Sequence, residues 1–428
     1  MIKTKITRNY VIGVLNGSFN EITKSLLNPN LVLAAFVYEM TGSIILVGIL
    51  AAINETAAFF PQLYVSSLIE HKKLKKHMFI GAFLIRLSVL ILITSLLFIT
   101  KHDSNNIIIY LFLLLFLIYR VFRGSEFIIL WDILSRSISP QRLGGFIGIR
   151  SFFSSIVTMV TGFFIVQPIL SLIPSTRNYF ILALLTLLVM LIDLIVFTFL
   201  KEVPVEKPPK KRVLKKTISG SIEHLKTSKN YQRLFLLRLL YRYTIVSLAF
   251  FIPYAIEELG IIGMSGVFLG TIQASKLLFS TVWGTISDKK GNKIVLILSA
   301  LFFSISAIFA IAAGIGPQID MINIFTFTVT NRFLLLLFSL ICFGSAQQGN
   351  QISFKAFLLE TADPNRKASY LAFLNSFTAP IALLAPFVGS FLDNAGTNFL
   401  IFFIGLFIMG LISFFTAIKL TEVRKKTL

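Results

Sequence analysis

Twelve apolar stretches, each long enough to cross a bilayer, follow one another along this chain with mostly short polar breaks between them. They cover residues 9–37, 42–69, 77–100, 107–134, 143–171, 178–200, 230–257, 264–287, 293–315, 328–359, 368–392 and 398–419. A spanning helix needs about 20 mostly apolar residues, because in hydrocarbon every backbone N–H and C=O has to be satisfied within the segment. The expected fold class is therefore an all-α integral membrane protein with twelve transmembrane helices. Composition agrees: 56% of the 428 residues are hydrophobic and 14% are charged, where soluble domains carry about 25% charge.

One break is long. Residues 201–229 are rich in Pro and Lys and divide six spans from six. The expected organisation is a six-helix bundle over 1–200, a basic linker over 201–229 and a second bundle over 230–428. Cations in loops set orientation, since they are retained on the cytoplasmic side. With the N-terminus inside, that side holds Lys3, Lys5, Arg8, Lys72, Lys73, Lys75, Lys76, Arg136, Arg142, the linker lysines and Arg212, Lys289, Lys290, Lys293, Arg366, Lys367, Arg424, Lys425 and Lys426. The opposite loops hold only Lys101 and Arg177. Both termini are thus expected in the cytoplasm of a multi-pass cell-membrane protein. The net charge of +21 is accounted for by topology and by anionic lipid at the cytoplasmic face, with no nucleic-acid partner needed. The opening "MIKTKITRNYVIG" has no small-residue cleavage site, so no cleaved leader is expected. Cys342 is the single cysteine, which excludes an internal disulfide and reads as a packing residue.

The two halves look duplicated. Pro140-Gln141-Arg142 and Pro364-Asn365-Arg366 each follow the fourth span of their half, 364 − 140 = 224 residues apart. "RNY" from Arg8 and "KNY" from Lys229 open the two halves 221 residues apart, and Glu55 and Lys276 share that spacing. A six-helix repeat keeps its orientation, so the axis relating the halves runs along the membrane normal, and a site is expected near the midplane.

The segment "GTISDKKGNK" resembles the loop signature of the major facilitator superfamily, with Gly284, Asp288, Lys289, Gly291 and Lys293 at its glycine, acidic and basic places. It lies between the eighth and ninth spans, where that family carries its second copy. The first copy departs from the pattern: "SSLIEHKKLKK" has no glycine, and Glu70 stands nearest the acidic place. The resemblance implies a cytoplasmic gate at the intact motif, alternating access, and a central cavity lined by the first, fourth, seventh and tenth spans.

The intramembrane polarity, read independently, falls mostly on those same four spans. The first carries Asn16, Asn20, Glu21 and Lys24, and the fourth carries Arg120, Arg123 and Glu126. The seventh carries Arg238, Tyr241, Arg242 and Tyr243, and the tenth carries Gln347, Gln348, Asn350 and Gln351. Three central charges cost roughly 8 to 10 kcal/mol on insertion scales. The apolar residues of the same span return about 5 to 10 kcal/mol. Arg120, Arg123 and Glu126 therefore face something other than lipid, and at about 100° per residue they share one face. Two readings stand: a water-accessible solute site, or an ion-pair network that orients helices. Glu21 with Lys24, and Asp132 with Arg136, have the spacing of such pairs. Arg86 in the third span reads as a snorkelling or paired cation.

The expected activity is secondary-active transport of a small anionic or zwitterionic solute. Lys24, Arg120, Arg123, Arg238 and Arg242 outnumber Glu21 and Glu126, and a guanidinium fork suits carboxylate or phosphate. Asn20, Tyr241, Gln347 and Asn350 complete the expected binding set. Glu126, or failing it Glu21, is the expected proton-coupling group. An exporter of amphipathic compounds is the alternative, although the glycine-proline motif common in the fifth span of the superfamily's exporters is missing from "SSIVTMVTGFFIVQP". A receptor or assembly factor on the same scaffold is a further alternative. The sequence has no P-loop, HExxH or GxSxG, so neither an enzyme nor a cofactor is expected. The protein is expected to act as a monomer.

Overall fold

The computed structural model describes residues 2–69, 72–99, 106–138, 140–173, 176–204, 214–324, 327–361, 367–394 and 399–421. Contacts divide the chain into two units, Met1–Leu214 with Gly263–Leu269, and Lys215–Ile262 with Gly270–Leu428.

In unit 1 the helices are α1 (Ile2–Leu26), α2 (Val32–Thr41), α3 (Ile44–Thr56), α4 (Phe60–Ile69), α5 (Lys76–Ile99), α6 (Asn106–Ser137), α7 (Pro140–Thr161), α8 (Gln167–Leu172) and α9 (Thr176–Thr198). Helix α1 packs on α7 and α9, α5 on α6 and α9, and α4 on α6. Unit 2 contains α10 (Leu214–Thr227), α11 (Lys229–Ser247), α12 (Phe251–Glu257), α13 (Ser265–Lys290), α14 (Asn292–Ile315), α15 (Asn331–Thr361), α16 (Lys367–Thr378), α17 (Ala385–Asn394) and α18 (Phe399–Ile418). Here α14 packs on α15 and α18, and α11 on α16 and α18. A short antiparallel hairpin, β1 (Asp320–Ile324) with β2 (Phe327–Thr330), joins α14 to α15. The first turn of α13 clusters with unit 1, where Gln167 accepts from the Val267 N–H at 3.0 Å and donates to the Gly263 carbonyl at 3.0 Å.

Nine helical stretches among the described residues are long and apolar enough to cross a membrane. The three other expected segments are the ones that carry breaks or polarity. The first is divided at Pro29, where the Asn28 side chain accepts from the backbone N–H groups of Asn30 and Leu31 and α2 starts afresh. The second is divided at Ala57–Phe59 before Pro61. Proline removes a donor and its ring clashes with the preceding turn, so a helix rewinds or stops there. The third, α13, is continuous over 26 residues but carries Gln273, Lys276 and Asp288. Other prolines leave milder marks. A π-helical turn Gly162–Val166 precedes Pro168, a 3-10 turn Leu248–Phe250 precedes Pro253, and a 3-10 stretch Ala379–Leu384 contains Pro380.

Large apolar side chains stand exposed around both units. Phe98, Phe164, Leu172 and Phe387 are all more than 70% exposed. On helices of this hydropathy such faces belong to lipid, whereas in water they would be association sites. The polar groups turn inward instead, which is the arrangement the charge cost demanded.

Candidate functional site

The unit 1 site is built on α6. Arg120, Arg123 and Glu126 follow one another at three-residue steps and emerge on one face. Glu126 is completely buried, with Arg86 Nε of α5 at 2.9 Å and Arg123 Nη1 at 3.6 Å. Neither Glu126 oxygen meets hydrogen-bond geometry, so charge and proximity hold this pair. Arg86 is itself buried, and its guanidinium lies 5.0 Å from the Phe83 ring centre and 5.3 Å from that of Tyr119. The ring faces add cation–π attraction to the carboxylate's charge. Arg120 turns the other way and donates from Nη2 to the Asn54 carbonyl at 2.7 Å. That carbonyl lies near the end of α3, before the break in the second span. Close packing at the break needs Gly124: a Cβ there would sit 2.0 Å from the Ala58 carbonyl oxygen.

These side chains open on a pocket with about 560 Å³ of empty space, counting its mouth. Lys24, Arg86, Arg120 and Arg123 line it, with Asn20 and Tyr119, and the rest of the wall is chiefly apolar, Phe112 and Phe116 included. No carboxylate lies among the lining residues. Glu21 pairs with Lys24 at 3.3 Å, as their spacing predicts.

A second polar chain runs from the pocket to α9. Asn20 Nδ2 donates to Asn16 Oδ1 at 3.2 Å, and Asn16 Nδ2 donates to both oxygens of Asp193 at 2.8 and 3.1 Å. Arg150 of α7 joins it, donating to the Gly13 carbonyl at 2.7 Å and to Asn16 Oδ1 at 3.4 Å. Its guanidinium lies 5.3 Å from the Trp131 ring centre. Asp193 and Arg150 were not among the residues expected from the sequence, whereas Arg86 takes the paired alternative of its expected reading. The available signal was a lone charge inside an apolar span, as in "LLVMLIDLIVF", which is costly unless it has a task or a partner.

Unit 2 treats its polar residues differently. Arg238 donates from Nε and Nη2 to Asn375 Oδ1 at 3.1 and 2.8 Å, and lies over the rings of Tyr241 and Phe354. Arg242 donates to Thr378 Oγ1 and to the Asn375 carbonyl, both at 3.1 Å. Gln347 and Asn350 are 8% and 7% exposed, and Gln347 Oε1 and Asn350 Oδ1 have no hydrogen-bond partner among the described residues.

At the motif, Gly284, Asp288 and Lys289 lie in the closing turns of α13 and Lys293 in the opening turn of α14. Gly291 joins the two helices at φ +92°, a conformation that strains any residue with a Cβ. Ser287 donates to Asn292 across this turn at 2.6 Å. The loop before α5 uses other groups. Lys75, one of the loop cations expected on the cytoplasmic side, is buried and reaches Asp132 at 2.5 Å, while Asp132 also holds Arg136 at 3.0 Å. Glu202 accepts from the Lys75 and Lys76 backbone N–H groups at 2.6 and 2.9 Å, satisfying donors that a helix start leaves unpaired. Glu70, and the repeat residues Pro364, Asn365 and Arg366, lie outside the described residues.

The profile of the Major Facilitator Superfamily matches residues 14–270. Quinolone resistance protein NorA of Staphylococcus aureus is 21% identical over 177 residues, 41% of this chain and 41% of that protein. The chain thus matches about two fifths of the length of such curated relatives. A variant of the nucleoside transporter NupG superposes with a TM-score of 0.72 at 14% identity, over 98% of this chain and 100% of that one. The D-xylose-proton symporter superposes at 0.68 and 13% identity, over 99% of each. At such identities the likeness establishes the fold alone.

Proposed function

The chain belongs to the Major Facilitator Superfamily and is a membrane transporter, and from that membership we propose that its cargo is a small anionic or zwitterionic solute carried by alternating access. The observation that carries this reading is the unit 1 pocket, whose described lining residues include four cations and no carboxylate. Arg120 and Arg123 bind the solute's carboxylate or phosphate through their planar forks, which match either anion bidentately. Asn20 supplies a neutral hydrogen bond, and Lys24 adds charge at the mouth. Within unit 2 taken by itself, Gln347 and Asn350 carry the acceptors without a partner among the described residues, and Arg238, Tyr241 and Arg242 complete the proposed binding set there. Asp288, Lys289, Lys293 and the two glycines of the loop form the cytoplasmic gate. Both termini and the basic linker are assigned to the cytoplasm of a twelve-span cell-membrane protein on the asymmetry of loop cations. Reporter fusions at residues 208 and 426 are expected to report cytoplasm together.

A thermal-shift screen of the purified protein against metabolite carboxylates, phosphates and lipophilic cations tests the cargo class. Stabilisation by anions that vanishes in Arg120→Gln and Arg123→Gln is the expected result. Stabilisation by lipophilic cations alone, unchanged in both variants, would replace the anion reading. The likeness to a quinolone resistance protein and the Phe112, Phe116 and Tyr119 wall favour a second reading, export of amphipathic compounds. The two readings meet in an aromatic carboxylate, whose ring the apolar wall accommodates and whose anion the arginines take.

A further inference from the structure

Unit 1 buries two carboxylates of opposite circumstance. Glu126 has two arginines within 4 Å. Asp193 is 2% exposed, and among the described residues its oxygens meet only the neutral amide of Asn16. The elements packed on α9 explain the difference. Helix α1 presents Asn16, α5 presents Arg86, which Glu126 already holds, and α8 carries no charged residue. Arg123 and Glu126 of α6 and Arg150 of α7 act on Asp193 from beyond ion-pair distance. An ionised carboxylate with a cation at each oxygen is held in its charged form, whereas one facing a single amide is costly to keep charged in a dry interior.

We propose that Asp193, rather than Glu126 or Glu21, binds and releases the proton that drives transport, and that Asn16 and Asn20 relay its state to the pocket. This rests on the transporter reading above. Ionised, Asp193 takes the Asn16 N–H, which leaves Asn16 Oδ1 to Asn20 and Arg150. On taking a proton Asp193 becomes an O–H donor, and the acceptor beside it is that same Oδ1. Satisfying the new donor turns the Asn16 amide over and withdraws its oxygen from Asn20, a lining residue of the pocket. Loss of the proton restores the first arrangement. Asp193 lies five residues before Thr198, the end of α9, a rise of about 8 Å. Glu126 then serves as the fixed counter-charge that keeps Arg86 and Arg123 in place.

Infrared difference spectra of the full-length protein in vesicles, taken between mildly acid and mildly alkaline buffer, read carboxyl protonation without any solute. The expected wild-type spectrum has a protonated-carboxyl band that disappears in Asp193→Asn, moves in frequency in Asp193→Glu and persists in Glu126→Gln. If Asp193→Asn does not fold, the frequency shift in Asp193→Glu decides. If Glu126→Gln does not fold, the compensated pair Arg86→Met with Glu126→Leu takes its place. A band that survives Asp193→Asn unchanged, one that vanishes with Glu126, or no band in the wild type overturns the assignment. Norfloxacin, an aromatic carboxylate, is the transport probe in the same vesicles. Asp193→Asn is expected to lose proton-driven accumulation while still catalysing counterflow. Counterflow in the wild type with no Asp193 band removes this inference alone. An Asp193 band without norfloxacin movement, and with no anion stabilising the protein, removes the anionic-cargo reading.

Discussion

The polar centres of the two units solve one problem with different chemistry. Unit 1 sets several of its cations against anions: Arg86 and Arg123 meet Glu126, and Lys75 meets Asp132, while Arg120 and Arg150 take neutral oxygens. Unit 2 gives Arg238 and Arg242 neutral oxygens, from Asn375 and Thr378, and rests the Arg238 guanidinium on aromatic rings. Ion pairs are strong in a dry interior but fail badly when one partner is lost, because the remaining charge is stranded. Amide and hydroxyl acceptors bind a cation less tightly and strand nothing when they move. Unit 1 is thereby the less forgiving of substitution, and unit 2 the more adaptable.

The contrast is broken most severely at Glu126. Glu126→Gln leaves Arg86 and Arg123 without their counter-charge, and the loss of one partner of a buried pair costs about 3 to 5 kcal/mol. A large drop in the thermal unfolding midpoint is expected, with Arg86→Met combined with Glu126→Leu recovering most of it, since removing both charges strands neither. A single variant as stable as the wild type would mean that water, not Arg86, satisfies the carboxylate.

The ease with which these parts could be read from sequence follows the range of the interaction. Arg120, Arg123 and Glu126 were legible because one helical period places them together, and Glu21 with Lys24 for the same reason. The break at Pro29 and the rewound turns near Pro253 and Pro380 have a local cause, because proline acts on its own backbone. Asn16 and Asp193 are 177 residues apart, and no local pattern announces that they meet. The helical part of the linker, α10, was hidden by its prolines and lysines, although Leu214–Thr227 contains no proline. The loop motif from Gly284 to Lys293 was legible as a pattern, yet its first-half counterpart was not. There the helix-start donors are satisfied by Glu202, more than a hundred residues downstream of Lys75.

A smaller break is expected in unit 2. Asn375→Ala removes the oxygen that takes two N–H groups of Arg238, while Arg242 keeps the Asn375 backbone carbonyl. A hydrogen bond to a charged group contributes about 1.5 to 3 kcal/mol, and the ring contacts of Arg238 place this substitution near the lower end. Asn375→Asp sharpens the comparison by installing the ion pair that unit 1 favours. It is expected to raise the unfolding midpoint and to slow turnover, because a neutral contact that yields easily becomes a charged one that does not. Faster turnover in that variant would show that adaptability in unit 2 is not what the cycle uses.

The smallest effect on stability is expected where unit 2 has polar atoms with nothing to hold. Gln347 Oε1 and Asn350 Oδ1 are buried without a hydrogen-bond partner among the described residues. An acceptor left unmade already carries its desolvation cost, so replacing it with an apolar group of the same shape is nearly neutral or stabilising. Methionine matches glutamine in length and flexibility and adapts to irregular space. Gln347→Met is therefore expected to change stability by less than about 0.5 kcal/mol, an order of magnitude below the loss at Glu126. Transport separates the two roles open to this residue. If Gln347 serves the solute, transport falls while the unfolding midpoint holds, since the acceptor is completed only when cargo is bound. If it is structural, the midpoint falls with transport. A loss of stability above about 1 kcal/mol would mean that the amide is satisfied within the fold, and the contrast between a paired unit 1 and a receptive unit 2 would then fail at its most sensitive point.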